Sequence, residues 1–65
     1  MKLCKELIEI HLARRSMTAK DLCRIGIASN TIVRAMRGEN LTTKTAGRIA
    51  RALGVDVTEI LKQED

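Results

Sequence analysis

Sixty-five residues suffice for one small domain, and a chain of that length buries only about 60% of its unfolded surface, which leaves little room for a metabolite pocket or an enzyme cleft. There is no Phe, Tyr, Trp or Pro, so the core must be aliphatic, helices are favoured over sheet, and the aromatic platforms on which single-stranded nucleic acids stack are missing. The net charge of +4 is uneven: residues 1–38 hold eight Lys/Arg against three Asp/Glu, a balance of +5, and residues 39–65 hold four against five, a balance of −1. Such an asymmetry suits a polyanion on one face.

Cys4 and Cys23 stand apart with only His11 for company, too few ligands for zinc and too few cysteines for a disulfide framework. Both are expected to be buried thiols, with Cys4 the more accessible for lying near the chain end. Lys5, Glu6 and Glu9 break the apolar N-terminal stretch, which excludes a secretion signal and a membrane span; a cytoplasmic protein is expected.

Five helical segments follow from the punctuation. The first runs from about Lys2 to Arg14, where Leu3, Cys4, Leu7, Ile8, Ile10 and Leu12 sweep more than half the helix circumference, so that one flank is surplus to the core. His11 lies inside that arc and reads as a hydrogen-bonded core histidine. The second begins at Thr18, with Asp21 as capping-box partner, turns Leu22, Cys23 and Ile25 inward, and ends by Gly26.

The third segment starts near Ser29 and stops at Gly38. Ile32 with Ala35 or Met36 forms its inner stripe, and Ser29, Asn30, Val33, Arg34 and Arg37 face outward. The fourth runs from a Thr42 cap to Leu53, its stripe Ala46, Ile49, Ala50 and Leu53 spaced i, i+3, i+4, i+7, with Gly54 as the stop. The fifth is short, capped by Asp56 with Glu59 completing the box and Ile60 and Leu61 packing inward, and a polar tail of about residues 62–65 is expected to fray.

Two short helices joined through Gly26, the second with a polar, cationic outer face, form a helix-turn-helix over about residues 18–37. Arg34 has the fork of donors that matches guanine O6 and N7, Asn30 matches adenine N6 and N7, and Ser29 suits several base edges. Thr18, Lys20, Thr31 and Arg37 are suited to phosphates, which fix register without reading sequence. No acid pair, no nucleophile with a base and no phosphate-cradling glycine loop is present, so no enzyme, cofactor or metal is expected.

The pattern resembles the lambda-repressor-like helix-turn-helix family, the group of phage Cro and repressor proteins and many small bacterial regulators. The resemblance rests on Met17-Thr18, Leu22-Cys23, Gly26-Ile27, Thr31-Ile32, Gly38, the block Arg48-Ile49-Ala50-Arg51-Ala52-Leu53-Gly54-Val55, and Glu59-Ile60-Leu61. It implies an all-α, five-helix domain spanning residues 1–65. It also implies base contacts from Ser29, Asn30 and Arg34 and backbone contacts from Arg37 and Lys44.

This chain departs from the family pattern in three places. The segment between Thr18 and Gly26 is one residue short, Ala19 replaces a phosphate-gripping Gln, and Ala28 stands where Ser or Thr caps the recognition helix. Ser29 is therefore either that cap or a reader of bases.

The resemblance further implies a transcriptional regulator, more often a repressor, that binds a duplex operator as a homodimer. Dimer surfaces are sought on the first helix at Ile8 or Leu12, or preferably on the fifth at Val57 and Ile60. RNA polymerase or another regulator is a further expected partner. The competing reading is a protein-interaction module of antitoxin type that no longer contacts DNA, which the wide first arc and Ala19 support.

Overall fold

The computed structural model describes residues 1–63, in which four α-helices and one 3₁₀ turn enclose an aliphatic core: α1 Lys5–Arg14, α2 Ala19–Arg24, α3 Ser29–Met36, α4 Thr43–Leu53, and the turn Val57–Glu59. The expected all-α class holds, but the fifth helix shrinks to that single turn. Its capping box is formed, with the Thr58 N–H donating to the Asp56 carboxylate at 3.1 Å and the Asp56 N–H to Glu59 at 3.1 Å. What stops it is the N-terminal segment.

Residues 2–4 are extended instead of helical because they pair with the chain's other end. Leu3 and Leu61 form an antiparallel bridge, in which the Cys4 N–H donates to the Ile60 carbonyl at 2.8 Å and the Lys62 N–H to the Lys2 carbonyl at 3.0 Å. The Leu41 N–H reaches the Met1 carbonyl at 2.7 Å, so the same segment also braces the loop before α4. Leu3 is thereby sealed into the core, and Lys62, expected to begin a fraying tail, is tied to Lys2. Residues 64 and 65 of that tail lie outside the described residues.

Each helix closes with the same turn. A residue in the left-handed region (Ser16, Gly26, Gly38 and Gly54, with φ of 53°, 111°, 73° and 70°) lets the next N–H reach back to a carbonyl five residues earlier. The pairs are Met17 to Leu12 at 2.9 Å, Ile27 to Leu22 at 3.2 Å, Glu39 to Arg34 at 3.0 Å, and Val55 to Ala50 at 3.0 Å. In three of them the two joined residues are apolar, as this motif usually has them. At the end of α3 both are charged.

The core consists of Leu3, Ile8, Leu12, Leu22, Ile27, Ile32, Ala35, Leu41, Ala46, Ile49, Ala50, Leu53 and Ile60, with buried His11 beside them at 8% exposure. No ring nitrogen of His11 is left enclosed without a partner among the described residues. The surplus flank of α1 is Ile10, 46% exposed.

Helix α2 differs from expectation. It has six residues, so one side chain, Leu22, is fully enclosed, while Ile27 just past the turn supplies the second core contact. Ile25 is 57% exposed and Cys23 is exposed, whereas Cys4 is half-buried; neither thiol has the buried place expected of it, and both are free. The proposed dimer surfaces also need correction. Ile8, Leu12 and Ile60 are buried within the protomer and Val57 is half-buried, so three of the four side chains have no free surface to offer a second copy.

Candidate nucleic-acid interface

Helix α3 is held by its two inward residues, Ile32 and Ala35, and by the glycine turns at Gly26 and Gly38. At about 100° per residue, Asn30, Val33 and Arg37 then form the centre of its solvent face, with Ser29 and Arg34 on the flanks. All five are exposed. Thr31 lies beyond Arg34 towards the inward face, half-buried, where it lines a small cleft with Thr45 and Arg48 of α4.

Ser29 is the first helical residue and Ala28 is the cap, which settles the alternative that Ser29 caps the helix. Ala28 has no side-chain oxygen to accept a hydrogen bond, so the amides of Ser29, Asn30 and Thr31 are left without a side-chain partner at the cap. The start of α2 is different. There the Thr18 N–H donates to Asp21 Oδ2 at 2.8 Å and the Thr18 hydroxyl donates to the same oxygen at 3.3 Å, while Asp21 Oδ1 pairs with Arg24 at 3.4 Å. Thr18 is thus occupied by capping, whereas Lys20 two residues on is exposed and has no carboxylate within 4.0 Å among the described residues.

The charges of α3 are less free than their exposure suggests. Arg34 Nε donates to Glu39 Oε1 at 3.4 Å and Arg34 Nη2 donates to the Asn40 carbonyl at 3.2 Å; the other Glu39 oxygen lies 3.9 Å from Arg37 Nη1. One carboxylate therefore faces both arginines. The left-handed turn at Gly38 brings it there by folding Glu39 back over the last turn of α3.

On α4, Lys44 lies in the first turn as expected, exposed, and Arg48 and Arg51 follow it at i+4 and i+7 on the side away from the apolar stripe. None of the three has a carboxylate within 4.0 Å among the described residues, and Arg48 Nη2 reaches towards the Gly26 carbonyl of the turn at 3.5 Å. Sequence reasoning passed over Arg48 and Arg51, although their spacing opposite Ala46, Ile49, Ala50 and Leu53 was the signal that would have found them. It placed Val33 on the outer face without a role, yet Val33 is 47% exposed at the middle of that face.

A capped short helix, a glycine turn and a second helix that shows solvent a polar and cationic face define a helix-turn-helix, the architecture of a large class of DNA-binding domains. A family model of the Cro/C1-type HTH DNA-binding domain matches residues 8–65, and the chain belongs to that family. Neither a curated protein nor a solved structure matches it. Membership makes this a DNA-binding regulator in the general sense, in a family that is not typically enzymatic. Among the described residues no helix is long and apolar enough to cross a membrane.

Proposed function

We propose that residues 1–65 act as one domain that binds a duplex operator in sequence-specific fashion and represses transcription by occupying it, with α3 laid in the major groove. The observation that carries this reading is the outer face of α3, where Asn30, Val33 and Arg37 stand exposed between Ser29 and Arg34. In that groove Asn30 has the paired donor and acceptor for adenine, Arg34 has donors for guanine, and Val33 offers an apolar surface to a thymine methyl. Ser29, at the first position of the helix, reaches base edges or phosphate from the same end.

Phosphate contacts fall to Lys20, Lys44 and Arg37, supported by the open amides after Ala28 and by Arg48; Thr18, already engaged with Asp21, and half-buried Thr31 have lesser roles. Two copies make a two-fold-related site with half-sites about 34 Å apart. Described extents of 32 × 22 × 18 Å allow two domains to sit side by side at that spacing. The protein works in the cytoplasm, with any contact to RNA polymerase secondary to operator occupancy.

The test is selection of binding sites from a random duplex library at near-physiological salt. Asn30→Ala and Arg34→Ala are each expected to relax one position per half-site by about 1–3 kcal/mol, whereas Lys20→Ala and Lys44→Ala weaken all sequences alike and lower the salt slope by about 1. Duplex binding that ignores Arg34 and Asn30 alike would reject the reading in favour of a partner protein.

A further inference from the structure

The turn that ends α3 is the exception among four of one kind. Elsewhere the residue after the left-handed position is Met17, Ile27 or Val55, each joined by its N–H to Leu12, Leu22 or Ala50; here Glu39 is joined to Arg34. An apolar residue in that place would have kept the turn. A carboxylate there fixes where one guanidinium goes.

The atoms involved show what is fixed. Arginine has two forks of parallel donors: a side-on fork made of Nε and Nη2, and an end-on fork made of Nη1 and Nη2. Glu39 accepts from Nε at 3.4 Å and the Asn40 carbonyl from Nη2 at 3.2 Å, so the loop occupies the side-on fork. Of the hydrogens that remain, one on Nη1 and one on Nη2 form the end-on fork, which lies on a different edge from the one the loop occupies. A bidentate contact to guanine O6 and N7 needs two such parallel donors and little else.

We propose that Glu39 is a positioning residue for sequence readout, one that holds the side-on edge of Arg34 so that its end-on fork meets a base edge at a set angle. The inference rests on the base-reading role given to α3 above. It opposes electrostatics: a carboxylate beside Arg34 and Arg37 lowers attraction to phosphate everywhere. Glu39 thus weakens binding to any duplex and strengthens the distinction between duplexes, since a free arginine would pair with phosphate or with several bases.

The pair is half exposed, so its removal is expected to have little effect on folding, which thermal melting of each variant checks. The experiment compares the wild-type chain with Glu39→Ala and Glu39→Gln on the selected operator, on its single-base variants and on unrelated duplex. Discrimination at the base position that Arg34→Ala relaxes is expected to fall about tenfold in Glu39→Ala, while affinity for unrelated duplex rises. Glu39→Gln, which keeps an acceptor for Nε but no charge, is expected to show the same rise in unrelated binding and to retain part of the discrimination.

If cognate and unrelated duplexes gain equally in both variants, Glu39 acts by charge alone and the positioning role is overturned, with base reading by α3 intact. If the wild-type chain itself prefers no sequence, the base-reading role fails and the inference fails with it.

Discussion

Across the Gly38 turn stand two helices of comparable length. Helix α4 buries Ala46, Ile49, Ala50 and Leu53, takes a cap from the Thr42 hydroxyl, which accepts from the Thr45 N–H at 3.2 Å, and ends on Gly54. Helix α3 buries only Ile32 and Ala35, begins at an Ala with no capping oxygen, and ends on a pair of arginines sharing Glu39. Local stabilisation is concentrated in α4 and sparse in α3, whose first amides have no side-chain cap and whose outer side chains face solvent. In so small a domain α3 is positioned by the enclosed side chains of its neighbours, while Lys20, Lys44 and Arg48 on the outer faces of those same neighbours stay exposed beside it.

The comparison is broken most forcefully in the core. Leu53 is fully enclosed, and Leu53→Ala is expected to cost about 2–5 kcal/mol, a large part of the whole stability of a domain this size. Val33→Ala, on the outer face of α3, is expected to leave stability within about 0.5 kcal/mol and to change only duplex binding. Thermal or urea denaturation of the two variants checks both; a destabilising Val33→Ala would mean that α3's outer face packs against something in the free protein.

The helix starts give a smaller and more pointed version of the same contrast. Thr42→Ala removes a formed cap and is expected to cost about 1 kcal/mol, while Ala28→Ser supplies a missing one and is expected to stabilise by about 0.5–1 kcal/mol. If the open amides at α3 serve DNA, the Ser variant gains stability without gaining affinity. A parallel gain in both would show that α3's uncapped start is merely loose.

How much of this was legible beforehand divides by range. Caps and stops are local signals, so Thr18 with Asp21, Thr42, Gly54, and Asp56 with Glu59 were all placed correctly, as was the stripe of α4. The ends of the chain were not, since the bridge from Leu3 to Leu61 has no signature in either segment: each residue alone fits a helix. Ile25 and Cys23 were turned inward by a helical wheel that assumes more turns than six residues can make. The charge division at Gly38 assigned Glu39 to the acidic remainder. In space it belongs with Arg34 and Arg37, reducing the +5 of residues 1–38 by one where it matters most. An i, i+5 pair across a left-handed residue is not a helical spacing, so counting i+3 and i+4 neighbours passes over it.

The faintest contrast lies past α4, where Asp56 caps a single 3₁₀ turn in full solvent. The Thr58 hydroxyl, then the Thr58 N–H, donate to its carboxylate and hold it below its ordinary value of 3.8, with loss of solvation opposing them and the Val57 amide adding least. A depressed acid binds its proton less readily folded than unfolded. Its stabilising contribution is therefore complete above the unfolded value and is lost as pH falls through the folded one. Asp56→Asn keeps an acceptor oxygen but cannot titrate. The difference in melting temperature between the two proteins is thus expected to narrow as pH falls from about 5 to about 2, by little because the group is exposed. Melting curves that run parallel over that interval would mean the carboxylate is held no more firmly in the folded chain than in the unfolded one. The bridge from Leu3 to Leu61, rather than the Asp56 cap, would then be what secures this end of the fold.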